Sequence, residues 1–495
     1  YSLDRLGRAV EITDGIGTWT NTYRANGQLE SEAFPQQPGW RLEYGQDAFS
    51  RMTNIVIRDE TSSIQYQALY TYDSAGRIGS VGDGTHTASY FYAPDGSTWT
   101  NMSYGGPLNV RRSFDGLGRL TQISNLPSNA APISFSYSYN QADQRVTNAL
   151  ADGSRWAYAY DALGQVVSAK KFFSDGVPVG GAQFEYEFDT IGNRKTAKNL
   201  MGTSSLIEQY TANQLNQYES RTVPGKVLVT GEAATNTTVN VRLDENSTAK
   251  LANRHDGYFW QVLNTDNTSA LVATTNLQVR AFMAAIQGTN TNSLVRAETR
   301  QEVVPQTPEA FTHDADGNLL QEGRWSYSWD AENRLTNVES IVDVPDRLRR
   351  RLVFGYDYQS RRTTKMVYSG FDGADYTATS VTEFIWNGWN LIGEISSAGT
   401  TNYYLHGLDL GGKLHGAGGV GGLAAILLNG TNCLTASDAN GNVAALVDAS
   451  AGSISAQYEW SPFGVILRAA GPVAKANPVR WSTKRMRVMI GFGLK

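Results

Sequence analysis

Along most of this chain apolar and polar residues alternate with a period of two. Trp325, Tyr327 and Trp329 are separated by single serines, which puts the three rings on one face of a strand. Residues 51–58 (RMTNIVIR), 135–139 (FSYSY), 156–160 (WAYAY) and 184–188 (FEYEF) alternate in the same way. No stretch of 1–221 carries the 3.6-residue periodicity of a helix over a convincing length. The pattern predicts an all-β protein.

The strands hand over to one recurring turn. It reads as an aromatic or His, then Asp, two variable residues, Gly or Asn, and Arg, Asn or Gln. Copies are Tyr72-Asp73-x-x-Gly76-Arg77, Phe114-Asp115-x-x-Gly118-Arg119, Tyr160-Asp161-x-x-Gly164-Gln165 and Phe188-Asp189-x-x-Gly192-Asn193. Two more stand close together, His313-Asp314-x-x-Gly317-Asn318 and Trp329-Asp330-x-x-Asn333-Arg334. Leu3-Asp4-x-x-Gly7-Arg8 is a related copy, and Tyr356-Asp357-x-x-Ser360-Arg361 is a degenerate one. The Asp carboxylate can accept from a backbone N–H two residues on, and Gly or Asn tolerates the positive φ that completes the turn. Asp161 and Asp189 lie 28 residues apart but Asp314 and Asp330 only 16. Such irregular spacing suits a sheet of hairpins with unequal outer loops better than a solenoid of identical rungs.

The repeats pause over 222–310, between Pro224 and the pair Pro305 and Pro308. Short alternating runs such as 226–230 (KVLVT), 238–243 (TVNVRL), 258–263 (YFWQVL), 277–283 (LQVRAFM) and 294–304 are separated there by Asn, Thr and Gly. They predict a small inserted β-sandwich. The division that follows is a repeat sheet over 1–221, the insert over 222–310, and a second repeat sheet over 311–466 with a glycine-rich crossover at 411–422. Residues 467–495 form a last, non-repeat part.

Composition adds little that is specific. The 49 glycines exceed the roughly 35 expected from a usual share of about 7%, as a turn-rich sheet requires. A net charge of −5 is too mild to point to nucleic acid or to an anionic membrane. No run of about 18 apolar residues predicts a membrane-crossing helix. The single cysteine, Cys433, leaves no intramolecular disulfide. It follows an apolar run and reads as a small buried hydrophobe. The start at Tyr1 beside a repeat unit is read as that of a piece of a longer polypeptide.

Several motifs together resemble the YD-repeat family, which comprises bacterial Rhs (rearrangement hot-spot) proteins, toxin-complex shell subunits and teneurins. They are the Asp turns, Trp386-Asn387-Gly388-Trp389-Asn390-Leu391-Ile392, and Asp438-Ala439-Asn440-Gly441-Asn442-Val443 leading to Tyr458-Glu459-Trp460-Ser461-Pro462-Phe463-Gly464. Asn477-Pro478-Val479-Arg480-Trp481-Ser482-Thr483-Lys484 is similar to the entry of the Rhs-associated core. The resemblance implies an antiparallel sheet spiralling into a shell, here a partial one, that encloses or presents a C-terminal toxin or effector. It also implies a secreted or cell-surface location. After Lys484 the family's Tyr-rich segment and its autoproteolytic Asp-Pro motif find no counterpart, so no cleavage residue carries over. The tail resembles a truncation or a change of reading frame.

No catalytic residue, metal ligand or cofactor site emerges. Two carboxylates across a sugar would make a glycosidase, but Asp73, Asp115, Asp161, Asp189, Asp314 and Asp330 all hold the turn position, which already explains them. Gly418-Gly419-x-Gly421-Gly422 lacks the Lys and Ser or Thr of a phosphate loop. The five histidines show no ligand spacing. Arg347, Arg349, Arg350, Arg351, Arg361, Arg362 and Lys365 read as a solvated strand edge that blocks aggregation. Tyr258 and Trp260 share a strand face, as sandwich packing or as a platform for stacking sugars. The leading expectation is a non-catalytic shell segment. Extracellular adhesion or glycan binding is the alternative, and a polysaccharide hydrolase stands behind both.

Overall fold

A computed structural model describes residues 1–287 and 290–485. The fold is all-β. Among the described residues the helical elements are two single 3-10 turns, Asp346–Leu348 and Trp481–Thr483. Most of the tail singled out in the sequence, 486–495, lies outside the described residues.

From Ser2–Leu3 to Tyr218–Arg221 the chain runs as one antiparallel meander in which each strand pairs with the next. Glu309–Ala310 closes this sheet at 21 strands by pairing with Tyr218–Arg221. A second meander of 14 strands runs from Thr312–His313 to Ile466–Ala470. The two are nearly continuous: Phe311 N donates to Glu219 O, and one residue later Thr312 pairs with Gln321. A consecutive meander follows from the hairpin turns alone, because each returns the chain beside the strand it has just left.

Between Arg221 and Glu309, which pair directly, the chain builds two small sheets. Lys226–Glu232, Tyr258–Asn264 and Asn253–His255 form one. Thr238–Arg242, Lys250–Leu251, Val272–Gln287 and Asn290–Val304 form the other. Val227, Val229, Val239, Val241, Phe259, Leu263, Leu277 and Val279 share their core. The last hairpin is longer than the sequence pattern predicts. Thr238–Arg242 pairs only with 278–282, so the rest of the ladder is sustained by the two long strands themselves.

The second meander folds back over the first. Ile385, Ile392, Tyr403, Leu405, Leu434 and Val447 pack with Ile12, Leu42, Ile57, Tyr66, Val81 and Tyr104 of the first sheet. Their strand neighbours Phe384, Leu391, Tyr404, Cys433 and Leu446 point the other way and pack with Tyr458, Ala474 and Val479. The split follows strand parity residue by residue. The strands over 384–458 are therefore a middle layer, between the first sheet and the segment that leads through Ala474 and Val479.

Candidate functional site

The repeat turn is a three-residue hairpin loop whose last residue, the fourth of the Asp-x-x-Gly unit, is left-handed. In the copy at Asp73, Gly76 N donates to Asp73 O and Asp73 N donates to Arg77 O. Asp73 Oδ1 accepts from Ala75 N (3.0 Å) and Arg77 N (2.9 Å), and Oδ2 accepts from Arg77 Nε (2.8 Å). The backbone N–H and guanidinium of Arg77 hold the Asp73 carboxyl below its usual range, as Arg119 does for Asp115. Gly76, Gly118, Gly164, Gly192 and Gly317 all have φ between 77° and 93°, and Asn333 has φ 57°. Asp161, Asp189, Asp314 and Asp330 accept in the same pattern. Each of these carboxylates accepts two backbone N–H groups of its own turn through Oδ1.

The aromatic and the arginine of the unit act across units, which sequence reading missed. Tyr72 Oη donates to Met52 O, the residue after Arg51 in the preceding turn, and Arg51 lies 4.2 Å from the Tyr72 ring centre. Tyr92 repeats this with Ile78 and Arg77, and Tyr139 with Leu120 and Arg119. Trp386 Nε1 donates to Arg362 O in the same sense. Each turn is thereby tied to its neighbour along the rim of the sheet.

Sequence reading also missed whole units. Asp47-x-x-Ser50-Arg51 and Asn213-x-x-Asn216-Gln217 make the same turn without an aromatic or a glycine. Ser50 and Asn216 both take φ 63° there. The available signal was the acidic or amide residue four positions before Arg or Gln.

Tyr258 and Trp260 call for a correction. The sandwich core takes Phe259 between them, and both rings face the first repeat sheet instead. Tyr258 Oη donates to Gly180 O, and a Cβ on Gly180 would sit 2.5 Å from the Trp260 ring. The two rings seat the insert against Pro178–Phe188 and lie outside the sandwich core, and Tyr258 also lines the groove beside that contact.

The basic cluster needs a correction too, because it is dispersed. Arg361 is buried against Asp357 and Glu32, Arg349 lies over Phe371, and Lys365 is buried beside Glu394 and Arg485. It is not one solvated edge.

The glycine-rich crossover is clasped from within. The buried Asp409 carboxylate accepts from the backbone N–H groups of Gly411, Lys413, Ala417 and Gly419. Arg480 of the entry motif is fully buried and donates to Asn477 O and Ala474 O. Thr483 Oγ1 donates to Gly441 O, so this segment locks onto the Asp438 turn. His406 is buried with Nε2 2.9 Å from Leu391 O, and burial pushes its pKa down to about 4. Burial pushes the Cys433 thiol up to about 11. Among the described residues no group of three or more His, Cys, Asp or Glu could hold a metal.

No family model and no curated protein matches the chain. Solved structures do. The crystal structure of TcdB2-TccC3-Cdc42 aligns at 14% identity over 97% of this chain and 25% of its own, with a TM-score of 0.40. The Photorhabdus luminescens Tc holotoxin pore carrying the TccC3-D651A mutation aligns at 14% identity over 97% and 24%, with a TM-score of 0.37. A porin-like protein from Bacteroides uniformis aligns over 53% of this chain at 10% identity, with a TM-score of 0.18. The chain spans about a quarter of the length of the first two.

Proposed function

We propose that the chain is a structural shell or scaffold segment of an Rhs-type secreted or surface-exposed protein that encloses or presents a C-terminal effector, without catalysis of its own. The observation that carries this reading is the register in which the second meander returns over the first. Tyr66 Oη donates to Tyr404 O, Leu408 N to Tyr90 Oη, Tyr104 Oη to Ala424 O, and Ala439 N to Tyr137 Oη. Both partners advance together along the chain, as windings of one strip do. The carboxylates that would serve a hydrolase are held in turns. To test enclosure, an unstructured passenger is fused after Lys495 and digested with a nonspecific protease. Slower cleavage in the fusion than of the same passenger mixed with the chain supports enclosure, and equal rates reject it.

The insert is a separable unit on this reading, since its ends meet at the Arg221–Glu309 pair. Excision of 222–308 with a short Gly/Ser joint should leave the repeat sheets folded, and the excised piece should fold alone by circular dichroism and hydrogen exchange. Two unfolded products would reject that division. Adhesion or glycan binding has one observation in its favour, an open groove between insert and first sheet lined by Phe173, Glu232, His255, Asp256 and Tyr258. His255 stacks on Phe173 at 4.1 Å and contacts Asp175 at 3.2 Å. A glycan array probed with the chain and with Phe173→Ala separates this reading from the first.

A further inference from the structure

In the insert, the loop between Thr238–Arg242 and Lys250–Leu251 reads Asp244-Glu245-Asn246-Ser247-Thr248. Such residues satisfy backbone groups locally and so hold a turn outside any ladder. Asp244 Oδ1 accepts from Asn246 N and Ser247 N, both at 2.8 Å, and Ser247 Oγ accepts from Asp244 N at 3.0 Å. Glu245 is held toward the sheet: its carbonyl accepts from Arg242 Nη1 (3.0 Å) and its carboxylate from Asn276 Nδ2 (2.9 Å). Asn246 and Thr248 are both exposed. Neither the Asn246 carboxamide nor the Thr248 hydroxyl has a hydrogen bond among the described residues.

Asn246-Ser247-Thr248 has the spacing Asn-x-Ser/Thr, the acceptor pattern for an N-linked glycan. The pattern alone decides little, because it occurs five times, at Asn101, Asn236, Asn246, Asn267 and Asn429. The structure separates the five. Transfer needs a free carboxamide nitrogen and a free hydroxyl two residues on, in a segment that can enter another protein's cleft. Asn267 is 2% exposed, and its Nδ2 donates to Val223 O and Pro305 O. Asn101 sits in mid-sheet, paired with Phe91 on one side and Arg111 on the other. Asn429 stands in a hairpin whose flanks, Leu428 and Thr431, pair directly, so the hydroxyl-bearing residue is in the ladder. Asn236 is exposed, but Thr238 pairs with Phe282, and Arg254 donates to the carbonyl and hydroxyl of Thr237. Of the five, Asn246 alone is exposed with its whole pattern outside a ladder.

Its place in the insert leaves room for a bulky, solvated substituent. The loop joins two strands of one sheet, whereas Tyr258 and Trp260, which seat the insert, belong to the other.

We propose that Asn246 is an acceptor site for an N-linked glycan, the donor being an oligosaccharide carried on a lipid pyrophosphate. In the transfer, Asn246 Nδ2 bonds to the anomeric carbon of the sugar as the bond from that carbon to the pyrophosphate oxygen breaks. Nδ2 gives up one proton to a base of the transferase, and the lipid pyrophosphate leaves. The inference rests on the secreted or surface-exposed reading, since that is where a chain meets such a donor, and not on enclosure.

The test is incubation of the folded whole chain with a purified oligosaccharyltransferase and its lipid-pyrophosphate-linked donor, read by mass spectrometry after trypsin. Cleavage after Arg242 and Lys250 isolates the site as peptide 243–250. The expected result is a glycan mass on that peptide and none on those carrying Asn101, Asn267 and Asn429. Asn246→Gln and Thr248→Ala should each abolish it and Thr248→Ser should retain it, all with an unchanged Tm, since both positions are exposed. No transfer to the folded chain, even where the free peptide 243–250 is modified, would overturn the proposal. Transfer to another Asn in place of Asn246, or transfer that survives Asn246→Gln, would overturn it as well. Passenger protection is read separately, so either result can fail while the other stands.

Discussion

The strands over 194–221 and those over 423–460 are built on the same hairpin turn and differ in what covers them. In the first group, Arg194–Asn199 (RKTAKN) and Leu206–Ala212 (LIEQYTA) are half-buried at best, and Ile207 is 45% exposed. In the second, Leu423–Leu428 (LAAILL) and Val443–Asp448 (VAALVD) are buried at almost every position, so both faces are covered. The turns are interchangeable between the groups: Asp189 and Asp438 accept the same backbone bonds at the same offsets. Turn chemistry sets the meander, and the side chains between turns decide which part of it becomes a core. The repeat fixes path, not depth.

If depth alone separates the two environments, one ion pair of the repeat should change its worth with position. Asp357–Arg361 is the i, i+4 pair of a buried turn, with the Arg side chain 4% exposed, and Arg361 also donates to Gly388 O. Asp73–Arg77 is the same pair at the rim, with the Arg side chain 35% exposed. Removing one partner of a buried pair leaves an uncompensated charge and costs about 3–5 kcal/mol, whereas surface pairs are worth about 0–1 kcal/mol. Arg361→Met should therefore lower stability in urea by several-fold more than Arg77→Met. Equal losses would mean that the turn, not its surroundings, sets the energy.

This difference also marks what could be read in the sequence. Period-two alternation and the Asp units gave the all-β class and the antiparallel meander, because both are local consequences of side-chain parity and turn geometry. Asp357 and Arg361 read as one more degenerate turn, since nothing in Tyr356-Asp357-x-x-Ser360-Arg361 reports that Glu32 and Trp19 lie over it. The middle layer did leave a trace. LAAILL and VAALVD break alternation, as strands buried on both faces do. That run was read only as the setting of Cys433. Tyr258 and Trp260 were misread for a related reason: the alternation places them on a face, but which body covers that face depends on Gly180, some eighty residues earlier.

A core substitution sharpens the same comparison at the next scale down. Leu446 is fully buried in the middle layer, and Leu446→Ala should cost about 2–5 kcal/mol through lost transfer energy and the space left behind. Ile207→Ala on the uncovered strands should fall within about 0.5 kcal/mol, the usual range at the surface. Denaturation midpoints of the two variants measure this directly. A large loss at Ile207 would show that something packs on those strands in solution.

The smallest expected effect is the one that depth should not touch. At the left-handed position of the turn most units place glycine, but Ser50 (φ 63°) and Ser360 (φ 61°) do not. A residue with a Cβ pays about 1–2 kcal/mol in that conformation. Glycine gives back part of the gain, roughly 0.5–1 kcal/mol, through the freedom of its unfolded chain. Ser50→Gly and Ser360→Gly should each stabilise by about 0.5–1 kcal/mol, and by the same amount, although one turn lies at the rim and the other beside the buried Arg361. The reverse change is a control. A Cβ at Gly118 (φ 77°) would meet nothing within 4 Å, so Gly118→Val carries backbone strain alone and should cost about 1–3 kcal/mol. Equal gains at Ser50 and Ser360, measured in urea beside the unequal losses at Arg77 and Arg361, would separate local turn energy from burial within one repeat. Unequal gains would mean that the covering layer also bends the turn beneath it.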